Sequence, residues 1–127
     1  MSNTPYEELR EPEEIEVIMD GGHTVVLDFW SPTCGPCMAM AKDFEDVAGQ
    51  FDREEVRFCK VNTEAHGELA AAFKIRSVPT ILFIHDGEIL DAVVGRMTAE
   101  QLGTKAEWLL AKKNRKPGLF SRILSRR

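Results

Sequence analysis

Four runs of mostly apolar residues along the chain each have the length of one strand, and the first is rich in β-branched and aromatic residues, as a buried strand is. They predict strands at Thr24–Trp30, 56–61, 80–84 and 89–94. The last two runs are separated by a short polar stretch that contains Asp86-Gly87, a strong signal for a hairpin turn. The final two strands are therefore expected to form a β-hairpin.

Between these runs the apolar residues recur at helical spacing. A helix is predicted over 34–51, and its apolar face is formed by positions 37, 41, 44, 48 and 51. The Ala-rich stretch 64–74 predicts another helix, with Leu69, Ala72 and Phe73 turned inward.

Two further helices are predicted at the ends of this region. Pro12, followed by acidic residues, is typical of a first helical turn. Thr98 and Gln101 have the spacing of a capping box, which predicts that a last helix begins at Thr98. The predicted order is β-α-β-α-β-β-α with one helix in front.

Composition agrees with one globular domain, because 127 residues with 43% hydrophobic and 29% charged residues can bury a substantial core. No apolar run approaches the roughly 18 residues of a membrane span. Residues 1–16 are acidic and contain no apolar segment typical of a secretory leader, so we expect a cytoplasmic location. We assign residues 1–113 to the domain and 114–127 to a C-terminal tail.

The charge is distributed unevenly along the chain. Residues 112–127 hold seven of the 16 Lys/Arg and no acid, which leaves nine Lys/Arg against 21 Asp/Glu in the rest. An acidic body argues against nucleic-acid binding. The basic, partly apolar tail has three interpretations: a solvated segment, a docking element for an anionic membrane or an acidic partner, or a segment that folds back on the acidic body.

The candidate chemistry lies at Cys34-Gly35-Pro36-Cys37, directly after the first strand and at the start of a helix. Residues three apart in a helical turn are neighbours, so the two thiols can form a disulfide. Closing so short a loop stabilises the protein little, which favours a bond that is readily opened. At a helix N-terminus the dipole stabilises the Cys34 thiolate as a nucleophile, and Cys37 would then act as the resolving thiol.

The alternative for this pair is half of a zinc site. Such a site needs a second Cys/His pair at ligand spacing. Cys59, His23, His66 and His85 are scattered singly, so we predict no metal. Cys59 is expected to be a buried structural residue.

With these motifs in order, the chain resembles the thioredoxin family. The resemblance is carried by Asp28-Phe29-Trp30, Cys34-Gly35-Pro36-Cys37, Lys60-Val61-Asn62, Val78-Pro79-Thr80, Asp86-Gly87 and Gly95, and it spans about 17–112. It implies an α/β thioredoxin fold, with a central mixed sheet of four to five strands and helices on both faces. It also implies a protein-disulfide reductase in cell redox homeostasis and electron transport, with a redox-active disulfide, no cofactor, and a thioredoxin reductase as partner.

The resemblance also implies roles for individual residues. Asp28 matches a buried carboxylate that exchanges a proton with Cys37, and Lys60 matches a lysine near it. Pro79 matches a cis-proline that faces the disulfide, and Val78 would bind a substrate peptide through its backbone. The implied substrate-binding surface consists of Trp30, Thr33, Gly35, Pro36, Val78, Pro79 and Gly95.

Structural alternatives remain for several of these residues. Asp28 could be a satisfied polar residue, Lys60 a lysine at a strand edge, Trp30 a core residue, and Gly95 a backbone requirement. Thr33 and Met38 depart from the family pattern, which has Trp and frequently Lys there, and we expect them to alter substrate preference. Two other functions stay open: a binding or adaptor module that acts through its groove or tail, and an oxidase or isomerase.

Overall fold

Residues 4–114 are described by the computed structural model, and their five strands form one mixed sheet. The strands are β1 (Glu7–Glu8), β2 (Thr24–Trp30), β3 (Arg57–Asn62), β4 (Thr80–His85) and β5 (Glu88–Val94). Their spatial order is β1-β3-β2-β4-β5. Strands β1 and β2 run parallel to β3, whereas β4 is antiparallel to β2 and β5.

Four helices cover the two faces of this sheet. They are α1 (Pro12–Met19), α2 (Gly35–Ala48), α3 (Gly67–Ala72) and α4 (Ala99–Lys113). Buried residues of α2 and α4 pack into one hydrophobic cluster, and buried residues of α1 and α3 pack into the other. The predicted α/β fold, with a mixed sheet between two helical layers, is confirmed.

Side chains along β2 point alternately to the two faces of the sheet, and each face packs against a different pair of helices. Val25, Leu27 and Phe29 pack into the cluster with α1 and α3, while Val26 packs into the cluster with α2 and α4. Because successive strand residues point to opposite faces, Asp28 shares the α2 face with Val26. The buried carboxylate is thereby directed to the helix that carries the cysteines.

The predicted hairpin is present between β4 and β5. Asp86 and Gly87 have φ angles of 52° and 78°, the left-handed pair that a two-residue turn of this type requires. A Cβ at Gly87 would lie 2.6 Å from the Met19 carbonyl oxygen, so only glycine fits there. The Asp86 carboxylate accepts a 2.7 Å hydrogen bond from the Gly22 N–H. The turn is therefore joined to the end of α1.

The order of elements predicted from the sequence is confirmed, but two local predictions about helix faces are wrong. The sheet also contains a short strand, β1, which the sequence pattern did not reveal, because two residues are too few to show a periodicity. Helix α2 buries Met40 and Val47, whereas Ala41, predicted on its apolar face, is only half-buried. In α3 the buried alanine is Ala70, and Ala72 is exposed.

The boundaries of two helices also differ from the prediction. Helix α2 begins at Gly35 with Cys34 as its N-cap, and α3 begins at Gly67 rather than at 64. The capping box predicted at Thr98 and Gln101 is confirmed by reciprocal hydrogen bonds of 3.1 and 3.0 Å.

The tail prediction falls almost entirely outside the described residues, since only Asn114 of 114–127 is included. Helix α4 ends at Lys113, whose ammonium group donates a 3.0 Å hydrogen bond to the Glu54 carbonyl oxygen. Among residues 4–114, no helix combines the length and apolar character that crossing a membrane requires.

Candidate active site

Cys34 and Cys37 form a disulfide at the N-terminus of α2, with their Cα atoms 5.2 Å apart. Cys34 is the N-cap residue, and its Sγ accepts a 3.2 Å hydrogen bond from the Cys37 N–H. The Cys34 carbonyl oxygen accepts a 3.0 Å hydrogen bond from the Met38 N–H. Because the Cys37 N–H and the positive end of the helix dipole both act on Cys34 Sγ, this end of α2 stabilises negative charge on that sulfur when the disulfide is reduced.

The segment before β4 lies opposite the disulfide. Cys34 Sγ is 3.6 Å from the Val78 carbonyl oxygen, and the Val78–Pro79 peptide bond is cis, as the resemblance implied. Gly95 adopts a φ of 110°, and its N–H donates a 2.8 Å hydrogen bond to the Pro79 carbonyl oxygen. The fold therefore brings three segments that are distant in sequence, around 34, 78 and 95, to one end of the sheet.

Asp28 is buried on β2, with a relative exposure of only 1%. Burial raises the pKa of its carboxyl to about 7, although the positive charge of Lys60 acts in the opposite direction. Its Oδ1 atom has no hydrogen-bond partner among the described residues. A carboxyl group with a pKa near 7 can both accept and release a proton at neutral pH.

Lys60 lies opposite Asp28 in the parallel pairing of β2 and β3. Its relative exposure is 5%, and β3 is an interior strand, so the alternative of an exposed strand-edge lysine is wrong. The Nζ atom lies 4.7 Å from the ring centroid of Trp30, 5.2 Å from that of Tyr6 and 5.6 Å from that of Phe44. These rings stabilise the buried ammonium group by cation–π contact.

The rim around the disulfide combines small, polar and apolar residues. Thr33, Gly35 and Pro36 are exposed, and Trp30 is half-buried. Met38, one turn of α2 from Cys34, is 51% exposed. The position before Cys34 thus carries a small hydroxyl side chain, and the position after Cys37 carries an uncharged flexible one.

Two residues that contribute to the site, Glu64 and Tyr6, could not be recognised from the sequence. Glu64 accepts hydrogen bonds from the hydroxyl groups of Ser31 and Thr33, which join the loop before Cys34 to the loop after β3. Tyr6 reaches Lys60 only because β1 pairs with β3. Both depend on contacts between segments that are far apart in the chain.

The third cysteine is separated from the other two by the sheet. Cys59 is fully buried in the cluster with α1 and α3, and it is a free thiol. Burial raises its pKa to about 12, which keeps it protonated and unreactive at neutral pH. Within residues 4–114, no group of three or more His, Cys, Asp or Glu side chains is arranged to hold a metal ion.

Comparison with known proteins agrees with this geometry. A family model described as Thioredoxin matches residues 9–107. Thioredoxin 1 of Synechococcus elongatus is 37% identical over 78 residues, which cover 61% of this chain and 72% of that protein. Thioredoxin 1 of a Nostoc species is 33% identical over 90 residues, with coverage of 71% and 83%.

Solved structures show the same fold. A mutant thioredoxin from Halobacterium salinarum has a TM-score of 0.72 at 28% identity, and the match covers 87% of this chain and 96% of that one. The thioredoxin of Malassezia sympodialis also has a TM-score of 0.72, at 25% identity, with coverage of 89% and 94%.

Proposed function

The chain belongs to the thioredoxin family and is a thiol–disulfide oxidoreductase, and we propose that it works as a reductase of disulfides in partner proteins. The observation that carries this proposal is the Cys34–Cys37 disulfide at the N-terminus of α2, with the Val78 carbonyl oxygen 3.6 Å from Cys34 Sγ. The redox group is part of the chain itself. The family in general acts on disulfide substrates and is reduced by a thioredoxin reductase.

The proposed reaction transfers two electrons to the substrate. In the reduced protein the Cys34 thiolate attacks one sulfur of a substrate disulfide, forms a mixed disulfide and releases the other sulfur as a thiolate. The Cys37 thiolate then attacks Cys34 Sγ, which restores the Cys34–Cys37 bond and releases the second substrate sulfur. The protons of the two protein thiols are transferred to the two released sulfurs.

We propose that Asp28 accepts the proton of Cys37, directly or through a water molecule. A pKa of about 7 suits this role, because the carboxylate is then both a competent base and a competent acid near neutral pH. Lys60 would prevent burial from raising the pKa of Asp28 still further.

The substrate would bind as an extended segment beside the cis-proline. Val78 precedes β4, and its backbone groups would pair with the substrate backbone on either side of the disulfide. The remaining proposed binding surface consists of Trp30, Thr33, Gly35, Pro36, Pro79 and Gly95. The small Thr33 and the exposed Met38 would set which substrates fit.

The direct test is a disulfide-reduction assay with insulin as substrate and dithiothreitol as electron source. We expect Cys34→Ser to abolish catalysis and Cys59→Ala, the matched control at the third cysteine, to retain it. Equal rates for Cys34→Ser and the unmodified chain would overturn the proposal and favour an adaptor that uses the groove for binding only.

A trapping experiment tests the partners and the proposed cytoplasmic location. Replacing Cys37 by Ser removes the resolving thiol, so substrate proteins should remain disulfide-linked to Cys34 in cells. We expect cytoplasmic proteins to be recovered, and none with a chain that carries both Cys34→Ser and Cys37→Ser. Recovery only of exported proteins would contradict the location.

The redox potential distinguishes a reductase from an oxidase or isomerase. Equilibration with glutathione buffers is expected to give a potential below about −230 mV, the range of reductases. A potential above about −200 mV would place the protein with disulfide-forming or disulfide-rearranging enzymes instead.

For the tail, we propose docking on an anionic membrane surface as the alternative to a solvated segment, since its basic residues are accompanied by Leu119, Phe120, Ile123 and Leu124. Co-sedimentation with vesicles containing phosphatidylserine should pellet the full chain more strongly than a truncated chain ending at Lys113. Equal pelleting would contradict this proposal without affecting the redox function.

A further inference from the structure

A cluster of two hydroxyls and one carboxylate adjoins the nucleophile, and its carboxylate, that of Glu64, has no role in the reaction described above. The Ser31 hydroxyl donates a 2.5 Å hydrogen bond to Glu64 Oε2, and the Thr33 hydroxyl donates to the same oxygen. The Thr33 N–H donates to Ser31 Oγ at 3.2 Å. The Cys34 N–H donates to the Ser31 carbonyl oxygen at 3.1 Å, so the cluster includes the backbone of the nucleophile.

The carboxylate is also held from its own loop. The Asn62 side-chain oxygen accepts hydrogen bonds from the N–H groups of Glu64 and Ala65, at 3.0 and 3.2 Å. The N–H and hydroxyl groups of Thr63 donate to the Trp30 carbonyl oxygen at 2.8 and 3.1 Å. Glu64 is therefore kept in one position relative to the end of β2 and the start of α2.

This arrangement keeps a negative charge on the rim of the active site. Hydrogen bonds from Ser31 and Thr33 hold the pKa of Glu64 below its usual range, so the carboxyl group is ionised at neutral pH. Glu64 is exposed to solvent, and its carboxylate is hydrogen-bonded to Thr33, the residue directly before Cys34.

We propose that Glu64 is a specificity-determining residue, whose carboxylate favours disulfides flanked by cationic groups and disfavours those flanked by anionic groups. This inference rests on the proposed function, in which Cys34 attacks a substrate disulfide. Thr33 and Ser31 are the positioning residues, because their hydroxyls hold the carboxylate against the loop that directly precedes Cys34.

Two exposed arginines contribute charge elsewhere on the rim. Arg76 lines a cleft of about 170 Å³ together with Val78, and Arg96 follows Gly95. The overall preference of the protein is the sum of these charges and that of Glu64. The contribution of Glu64 is therefore measured as the change in charge preference when its negative charge is removed.

The test uses three small disulfides that differ mainly in charge: cystamine, which is cationic, bis(2-hydroxyethyl) disulfide, which is neutral, and 3,3′-dithiodipropionate, which is anionic. Each reacts with the reduced protein to give the Cys34–Cys37 disulfide and two small thiols, and the rate of thiol loss from the protein is measured. The unmodified chain is compared with Glu64→Gln, which removes the charge and keeps an acceptor oxygen. The matched control is Glu68→Gln, an equal charge change at an exposed residue in the first turn of α3.

At low ionic strength we expect Glu64→Gln to lower the ratio of the cystamine rate to the dithiodipropionate rate by about three- to tenfold. The rate with the neutral disulfide should change little, and Glu68→Gln should leave the ratio of the two rates unchanged. At about 1 M salt the rate ratios of the unmodified chain and of Glu64→Gln should become equal, because the screening length of the salt is then about 3 Å.

Three results would overturn the inference: an unchanged ratio in Glu64→Gln, an equal change in Glu68→Gln, or an equal slowing with all three disulfides that persists at high salt. The last result would assign Glu64 to loop support alone. Failure of the proposed function has a different signature, since the unmodified chain would then react no faster than Cys34→Ser with any of the three.

Discussion

Two carboxylates, on the two strands that flank β3, have pKa values shifted in opposite directions. Glu7 lies on β1, opposite Cys59, and accepts hydrogen bonds from Arg57 at 2.7 and 2.9 Å and from Arg53 at 3.2 Å. Burial alone would raise the pKa of Glu7, but these hydrogen bonds and charges outweigh it and the pKa is lowered. This charge is satisfied, and it joins the short first strand to the sheet.

Asp28, on the other side of β3, lacks such partners. It is more deeply buried, its Oδ1 has no hydrogen-bond partner within residues 4–114, and its pKa is raised to about 7. A buried, poorly satisfied carboxylate lowers the stability of the folded protein, and ionisable groups of this kind cluster at functional sites. The difference suggests that Glu7 serves the fold and Asp28 the reaction, and four predictions test this comparison.

The largest expected effect is on stability at Asp28. Because its pKa in the folded protein is about 7 and its ordinary value is 3.8, the folded state binds the proton more tightly between these two values. Stability therefore falls as pH rises from about 4 to 7, and the full cost is present above pH 7. At pH 8 we expect Asp28→Asn to raise the free energy of unfolding by about 2–4 kcal/mol, a gain that shrinks toward pH 4.

Urea unfolding of the oxidised protein between pH 4 and 8 measures this gain. A gain that is independent of pH would show that packing, rather than ionisation, is responsible. A loss of stability at pH 8 would contradict the assignment of Asp28 as a strained carboxylate.

The second prediction concerns activity at the same residue. We expect Asp28→Asn to slow disulfide reduction at pH 7 by about ten- to a hundredfold, because the proton acceptor for Cys37 is lost. The rate of the unmodified chain should change with pH around 7, and this dependence should be absent in the variant. If Asp28→Asn is more stable and equally active, Asp28 is not the proton acceptor for Cys37.

The third prediction is the opposite stability change at Glu7. At pH 7 we expect Glu7→Gln to lower the free energy of unfolding by about 1–2 kcal/mol, since charge-assisted hydrogen bonds to two arginines are lost. The pKa of Glu7 is lowered on folding, so this stabilisation is present above the ordinary value of 4.5 and disappears as pH falls through the lowered one.

Glu8→Gln is the matched control for this change. Within residues 4–114, the one ion pair of Glu8 is with the exposed Arg10, at 3.4 Å, so its replacement should alter stability by less than about 0.5 kcal/mol. Disulfide reduction should be unaffected by either change. Equal destabilisation by both would refute the special role given to Glu7.

The smallest effect is expected at Cys59, the residue opposite Glu7. Because burial raises the pKa of this thiol to about 12, iodoacetamide at pH 8 should not label it in the folded, reduced protein, and should label it after unfolding in urea. Cys59→Ala should cost about 1 kcal/mol of stability and leave activity unchanged. Labelling of Cys59 under native conditions would show that this side of the sheet opens.

The order of elements could be predicted from the sequence because each long element carries its own local pattern. The run Thr24–Trp30 is continuously apolar around one acid, and Thr98 with Gln101 forms a local capping box. The boundaries of α3 could not be predicted, since the Ala-rich stretch favours a helix over more residues than tertiary packing retains. The strand Glu7–Glu8 exists only through its pairing with β3.

The redox chemistry of this protein follows from its local sequence. Two cysteines three residues apart after a strand and at the start of a helix are local facts, and the cysteine–cysteine distance and the helix dipole follow from them. What surrounds that pair depends on the folded chain. The carbonyl of Val78, the buried ammonium of Lys60 and the carboxylate of Glu64 reach the site through strand pairing and loop contacts between residues about 30 or more positions apart, and such contacts leave no periodic signal in the chain.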